Sequence, residues 1–190
     1  MEKNIRADVL RVALKELKSR GPDFHMDDLA RTLHISKRTL YEHFSSKQEI
    51  VKAAIFSVMD DLYEQHEALI ADKNLSVEEK LLAYFKVRSE ALAILTLRRY
   101  ESILHKMPEI GAELEARSQR DWDLLLRFLQ DVKKSQGYKD FFDRALLHML
   151  MGAGESLLKH LNEVGEEYDV AYPEYMEECM RIILYGIKKT

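Results

Sequence analysis

The stretch MDDLARTLHISKRTLYEHFSSK, residues 26–47, predicts two short helices joined by a tight turn. On a second helix that begins near Ser36, Leu40 and Phe44 lie one turn apart and mark the side that should be buried. The positions that would supply a small shared core are apolar: Leu29, Ala30, Leu33, Ile35, Leu40 and Phe44. The two helices are therefore expected to pack around one core.

The opposite side of the second helix carries polar and charged side chains. At about 100° per residue, Arg38 and Glu42 point away from the buried side, and Thr39 and Tyr41 flank them. A guanidinium, a carboxylate, a hydroxyl and a phenol are groups that read base edges and bind phosphates. Ser36 is a favourable N-cap, and a helix N-terminus itself attracts phosphate. The alternative interpretation is an ordinary helix pair with a solvated face.

The segment resembles the DNA-binding motif of the TetR family of transcriptional regulators. The pattern of that family is an Ile/Leu-Ala pair, a turn that ends in Val/Ile-Ser, then Thr-Leu-Tyr, His-Phe and Ser-Lys-Glu. The matching residues here are Leu29-Ala30, Ile35-Ser36, Thr39-Leu40-Tyr41, His43-Phe44 and Ser46-Lys47, with Glu49 beyond. The resemblance is specific over about the first fifty residues and concerns only the architecture after them.

Two positions depart from that pattern. His25 stands where the family usually has a Ser or Thr that caps the second helix, and His is a weaker cap. His34 stands where the turn usually carries Gly, a position that tends to need a positive φ. These two histidines and His43 lie in separate elements without ligand spacing, so neither a metal site nor another cofactor is predicted.

The resemblance implies an all-α fold with about nine helices. An N-terminal three-helix helix-turn-helix DNA-binding domain is expected at residues 1–48, and a helical effector-binding and dimerisation domain at residues 49–190. Seven Gly and three Pro leave few breaks, and no sustained period-two alternation indicates a sheet. Residues 1–18 do not resemble a signal peptide, and no apolar run approaches the roughly 20 residues that span a bilayer. A cytoplasmic protein without membrane contact is expected.

The charge is distributed unevenly along the chain. The whole chain carries a net charge of −4, which by itself argues against nucleic acid as a partner. Residues 1–48, however, hold ten Lys or Arg and seven Asp or Glu, a balance of +3. This asymmetry supports a DNA-binding N-terminal part, although a balance of +3 does not establish one.

Helical periodicity and capping signals divide the chain outside the motif. Ser46 with Glu49 and Ser76 with Glu79 have the spacing of capping boxes at helix starts. The predicted helices outside the motif cover residues 3–20, 46–71, 76–97, 98–105, 109–134, 138–164 and 173–189.

The last two of these helices, 138–164 and 173–189, have more apolar surface than one core can use. A homodimer in which each subunit contributes these two helices is therefore predicted, as the resemblance also implies. Gly152 and Gly154 should each cost about 1 kcal/mol relative to Ala in this helix. Close approach between helices is the expected compensation, and flexibility is the alternative.

The resemblance implies a dimer whose recognition helices enter successive major grooves of a palindromic DNA operator. Arg38 is assigned to a guanine edge and Glu42 to cytosine. Most of the other predicted contacts are to phosphates, which position the protein without specifying sequence. The predicted DNA-binding residues are His25, Met26, Ser36, Lys37, Arg38, Thr39, Tyr41, Glu42, His43 and Lys47.

A repressor that a small-molecule effector releases from its operator is the function the resemblance implies. The candidate pocket residues, which favour an apolar or aromatic ligand, are Tyr63, Phe85, Tyr100, His105, Met107, Trp122, Phe128, His148 and Met151. For each of them the alternative is a place in the plain core. A constitutive DNA-binding or nucleoid-associated protein of the same fold, without an effector, is the second hypothesis. No H-E-x-x-H, P-loop or G-x-G-x-x-G motif is present, so no enzymatic activity is expected.

Overall fold

A computed structural model of the chain describes residues 4–87, 97–164 and 172–188, with the backbone alone for residues 97–101, 158 and 161–164. The α-helices of this part of the chain are α1 (Ile5–Arg20), α2 (Met26–Leu33), α3 (Lys37–His43), α4 (Lys47–Ala71), α5 (Val77–Tyr84), α6 (Leu97–Lys106), α7 (Gly111–Lys134), α8 (Asp143–Val164) and α9 (Tyr172–Ile187). Short 3-10 helices occupy Gly21–Asp23 and Pro108–Ile110. The all-α prediction is confirmed. None of the described helices combines the length and apolar character that crossing a membrane requires.

The two predicted capping boxes have different outcomes. At α5, the Ser76 hydroxyl accepts from the Glu79 N–H at 3.2 Å, and the Glu79 carboxylate accepts from the Ser76 N–H at 2.8 Å. At α4, the Ser46 hydroxyl accepts from the Glu49 N–H, but the Glu49 carboxylate accepts from Ser45 instead of Ser46. The prediction was therefore right for α5 and half right for α4. The helix predicted to run from residue 76 to 97 ends at Tyr84, and residues 85–87 are not helical, so its predicted continuation is wrong there. Residues 88–96 are not among the described residues.

The helix predicted to start at residue 138 starts instead at Asp143. Gly137 has a φ of +99°, a left-handed conformation that turns the chain before the helix can begin. Lys139 then donates its N–H to the carbonyl of Ile187 at 2.6 Å, and Tyr138 pairs with Lys188 in an isolated antiparallel bridge. These long-range bonds hold the segment extended beside the end of α9.

The chain forms two compact units, each made of two separate stretches. The N-terminal unit comprises Met1–Asp61 and Ser89–Arg117, and the C-terminal unit comprises Leu62–Arg88 and Ser118–Thr190. The predicted functional boundary after residue 48 does not coincide with this division into compact units. As a division between DNA-binding and effector-binding parts of the chain, it stays a prediction.

The core of the N-terminal unit joins α1 to α4 with a later part of the chain. Its buried residues from the first four helices include Val9, Ala13, Leu17, Phe24, Leu29, Leu40, Phe44, Ile50 and Ile55. Ile103, Met107, Ile110 and Leu114, from α6 to the start of α7, belong to the same core. The three-helix motif is therefore completed by residues that follow it by more than fifty positions.

The core of the C-terminal unit lies among α5, α7, α8 and α9. Its buried residues include Leu81, Tyr84, Leu125, Leu129, Leu146, Leu150, Met176 and Met180. A Cβ placed on Gly154 of α8 would lie 2.8 Å from the Tyr172 hydroxyl, so this glycine permits a close approach to α9. The predicted close approach between helices is therefore confirmed for Gly154, where the neighbouring helix is α9 of the same chain.

His66 is a buried polar side chain of α4 in the C-terminal unit, with 5% of its surface exposed. Its Nε2 lies 3.0 Å from the backbone carbonyl of Tyr84, and its Nδ1 lies 2.8 Å from Oδ1 of Asp121. The Tyr84 carbonyl can only accept, so Nε2 is the donor in that hydrogen bond, and Nδ1 is the ring nitrogen that faces the Asp121 carboxylate. The imidazole also stacks on the Tyr84 ring at a centroid distance of 3.9 Å. The contacts of His66 with Tyr84 and Asp121 thus link α4, α5 and α7 inside this unit.

Replacing His66 with Leu should lower the free energy of unfolding by roughly 2–3 kcal/mol, because it removes the imidazole that contacts the Asp121 carboxylate and the Tyr84 carbonyl. Urea unfolding followed by circular dichroism measures the change. The double variant His66→Leu/Asp121→Leu should recover part of the loss, since both polar partners are then removed. A single-variant cost below about 0.5 kcal/mol, the level of an ordinary surface substitution, would contradict a structural role for the pair.

Candidate DNA-binding surface

The turn between α2 and α3 is built by two local signals in the sequence. His34 ends α2 in the left-handed conformation, with φ 54° and ψ 39°, and it is the only described residue other than Gly with a positive φ. Ser36 then caps α3, because its hydroxyl accepts from the N–H of Thr39 at 2.9 Å. The predicted positive φ and the predicted cap are both confirmed. His25, the predicted weak cap, makes no side-chain hydrogen bond at the start of α2.

The orientation of α3 in the N-terminal unit gives the helix one buried side and one exposed side. Leu40 is fully buried and Phe44, just after the helix, is nearly so. On the other side, 90% of the Arg38 side chain is exposed, and Tyr41 and Glu42 are exposed as well. The side chains predicted to read bases therefore face solvent.

Arg38 and Glu42 form an ion pair across one helical turn of α3. Nε of Arg38 donates to Oε1 of Glu42 at 3.1 Å. An exposed pair of this kind adds only about 0.3–0.5 kcal/mol to helix stability. Its main effect is geometric, because it aligns a hydrogen-bond donor fork and an acceptor side by side on the exposed face.

Lys37 is engaged with Asp27, a partner that the sequence analysis did not assign to it. Nζ of Lys37 lies 2.7 Å from Oδ1 of Asp27 in the first turn of α2. The hydrogen bond between them raises the pKa of Lys37 and lowers the pKa of Asp27. The ammonium that was predicted to contact phosphate is thus partly neutralised. Ten residues separate the two groups, so no helical spacing signalled the pair.

Two predicted DNA contacts have surroundings that differ from the prediction. The Met26 side chain is buried with Leu29 and Ala30 on the inner face of α2, so it cannot reach DNA, and that prediction is wrong for the side chain. Lys47 is partly buried, and its ammonium lies 5.2 Å from the centroid of the Phe24 ring. Burial lowers the pKa of Lys47. This ammonium would have to leave the ring before it could contact a phosphate.

The remaining predicted contacts border the exposed face of α3. His25 is exposed, whereas Thr39 and His43 are half-buried. The hydroxyls of Ser36 and Thr39 lie 2.8 Å apart and are bonded to each other. Their role in DNA binding stays a prediction.

The candidate effector residues do not form one group. His105 and His148 are exposed, and Met107 fills the core of the N-terminal unit, so these three no longer fit the lining of an enclosed pocket. Tyr100 lies outside the described side chains. In the C-terminal unit, Phe85 and Phe128 belong to the core, and Tyr63, Trp122 and Met151 are partly buried.

Comparison with known proteins identifies the relatives of this chain. Residues 9–54 match the family model described as bacterial regulatory proteins of the tetR family. Across 98% of the chain and 95% of the relative, the sequence is 25% identical to YvaF of Bacillus subtilis (strain 168), an uncharacterized HTH-type transcriptional regulator.

Solved structures share the fold over nearly the whole chain. A regulator of the TetR/AcrR family from Thermobifida fusca YX-ER1 is 21% identical, with a TM-score of 0.71 over 98% of this chain and 100% of that one. A protein from Saccharomonospora viridis in complex with choline is 16% identical, with a TM-score of 0.75 and full coverage of both chains. Residues 9–54, which include the helix-turn-helix described above, therefore match the tetR family of bacterial regulatory proteins, and the solved structures show that the whole chain shares its fold with regulators of this kind.

Proposed function

We propose that two copies of this protein bind a palindromic operator through α3 and repress transcription until a small molecule binds the C-terminal unit. The observation that carries the DNA-reading part is the orientation of α3, which buries Leu40 and exposes Arg38, Tyr41 and Glu42. In a two-fold dimer the two copies of α3 would enter major grooves about 34–36 Å apart. Arg38 would donate to guanine O6 and N7, and Glu42 would accept from cytosine N4.

Dimerisation through the last two helices is supported by their exposed apolar side chains. Phe142, Met149, Ile182 and Tyr185 are large apolar residues of the C-terminal unit that remain exposed, and 75% of Tyr185 is accessible. Large apolar side chains that remain exposed on helices packed against each other are candidates for a protein–protein interface. Gly152 lies on the exposed side of α8, and no atom lies within 4 Å of a Cβ built there. Packing within one chain therefore does not explain this glycine, whereas a close approach by a partner helix would.

An effector that is apolar or aromatic is supported by the aromatic contacts of the C-terminal unit. The rings of Tyr84 and Phe85 are 5.4 Å apart, and those of Phe85 and Trp122 are 6.4 Å apart. Such surroundings suit ligands with apolar surface, and Tyr63, Phe128 and Met151 are further candidates for contact. The Saccharomonospora viridis protein holds choline, which supports small-molecule binding by this fold. Repression would end only if the effector binds the DNA-bound and free conformations with different affinities.

Arg38→Ala should relax preference at one base position of the operator by about 1–3 kcal/mol, because the bidentate contact to guanine is lost. Fluorescence anisotropy against duplexes with every base at each position, taken from the site footprinted upstream of the protein's own gene, measures this. Lys37→Ala is the matched variant at the adjacent residue. Since it changes a predicted phosphate contact, it should weaken all duplexes alike. If Arg38→Ala instead lowered the affinity for every duplex equally, Arg38 would not contact a base.

Met149→Glu should shift the protein from dimer to monomer, because a carboxylate would be buried without a partner in the subunit interface. Analytical ultracentrifugation over a concentration series should show at least a hundredfold rise in the dissociation constant, or about 2.7 kcal/mol. Ala116→Glu, at an exposed position of α7, adds the same charge and should leave the dimer intact. If Met149→Glu remained dimeric at all concentrations, the interface would have to lie elsewhere.

A bound effector should raise the melting temperature and release DNA at the same concentration. At one hundred times its dissociation constant, the ligand adds about 2.7 kcal/mol to the unfolding free energy. Thermal shift assays with choline and a panel of apolar aromatic compounds, followed by operator release measured by anisotropy, test this expectation. Trp122→Phe should reduce the shift while keeping the protein folded. Ligands that stabilise the protein without releasing DNA would instead favour a constitutive DNA-binding protein.

A further inference from the structure

Arg6, in the first turn of α1, contacts the end of α3, the residue that follows it and the start of α4 through three different kinds of interaction. Its Nη1 donates to the carbonyl oxygen of His43, the last residue of α3. The guanidinium carbon lies 4.2 Å from the centroid of the Phe44 ring, and Nη2 lies 3.8 Å from Oε1 of Glu49. Arg6 is 37 residues away from His43 in sequence, so this is a tertiary contact.

The contact falls where α3 has free hydrogen-bond acceptors. The last carbonyls of a helix have no partner within the helix, and a cation at this end complements the helix dipole. Phe44 is almost fully buried, so its ring is held by the core and offers a fixed surface for the guanidinium. Because its guanidinium is held against this fixed ring, Arg6 can fix the position of the end of α3 relative to α1.

The same contact extends into the start of α4. Oε2 of Glu49 accepts from both the N–H and the hydroxyl of Ser45 at 2.7 Å each. These hydrogen bonds lower the pKa of Glu49, which keeps its carboxylate ionised and available to Arg6. The residues between α3 and α4 are thus tied to α1 as well as to each other.

We propose that Arg6 is a positioning residue for DNA recognition, which fixes the angle at which α3 enters the major groove. This inference rests on the proposed function, because it requires that α3 reads the operator. A helix of seven residues is not stable by itself, so its orientation depends on how its ends are held. Ser36 and the Lys37–Asp27 pair hold the start of α3, and Arg6 holds its end. About half of the Arg6 side chain is exposed, so a direct phosphate contact is the competing role.

Measuring operator affinity over a series of salt concentrations separates the two roles. Each phosphate contact contributes about 0.9 to the slope of log affinity against log salt concentration. If Arg6 positions α3 and binds no phosphate, Arg6→Ala should weaken operator binding about tenfold, the equivalent of one charge-assisted hydrogen bond, with an unchanged slope. Binding to an unrelated duplex should stay the same. A slope reduced by about one unit would make Arg6 a phosphate contact and overturn the inference.

Three further variants complete the experiment. Arg6→Lys should recover part of the affinity, because Lys can pair with Glu49 and donate to His43 but lacks the planar fork. Glu49→Gln should lose part of it, since it weakens the hold on Arg6 but can still accept from Ser45. Arg11→Ala removes another exposed arginine of α1, paired with Asp8, and should leave operator binding unchanged.

The same assays distinguish a failed inference from a failed function. All binding is measured at a temperature at which circular dichroism shows each variant to be folded. If Arg38→Ala alters base preference and Arg6→Ala leaves operator affinity unchanged, only the positioning role of Arg6 is wrong. If Arg38→Ala does not alter base preference, α3 is not the reading helix and the proposed function itself fails. Equal losses on operator and unrelated DNA by Arg6→Ala, without recovery by Arg6→Lys, would indicate general destabilisation and would also reject the inference.

Discussion

The burial of Leu40 and Phe44 is the constraint on which the DNA-binding surface depends. Because successive residues of a helix are about 100° apart, fixing two positions one turn apart fixes the direction of every side chain on α3. A rotation that brought Arg38 inward would bury an unpaired guanidinium at a cost of several kcal/mol, besides exposing Leu40. The apolar contact and the penalty for burying charge therefore favour the same rotation. The exposed positions of Arg38, Tyr41 and Glu42 follow from it.

The support for α3 includes a part of the chain that the motif alone does not indicate. Ile103, Met107 and Leu114 share the core of the N-terminal unit with α1 to α4. Lys106 also pairs with Asp23, just before α2. Interiors of proteins are packed densely, so a displacement of α6 inside this unit would have to be accommodated by the helices that hold α3. This shared core gives the unit a physical means to couple the segment after residue 97 to the orientation of the reading helix.

Much of this arrangement could be predicted from the sequence where short-range physics decides it. The left-handed conformation of His34 and the cap at Ser36 each depend on groups within three or four residues, and both were predicted correctly. The Lys37–Asp27 pair and the contacts of Arg6 join residues from different helices, and periodicity within one helix cannot reveal them. The prediction for Met26 failed for a related reason: the packing of α2 places its side chain in the core, and the sequence motif alone does not show this. The helices were predicted from apolar spacing, which does not say which helix packs against which.

If α3 reads an operator as proposed, the charge pairs on its exposed face would affect how that operator is selected. Lys37 is held by Asp27 and Arg38 by Glu42, so two of the ten cations of residues 1–48 already have carboxylate partners within the protein. Non-specific affinity grows with the number of phosphates neutralised, and these pairs limit it. At a matching site, Arg38 would exchange Glu42 for guanine while Glu42 gains cytosine as a donor. At a mismatched site Arg38 and Glu42 would remain paired with each other and form no contact with the bases. Selectivity would then come from the small advantage of exchanging one ion pair for two base contacts, repeated in each subunit of the dimer.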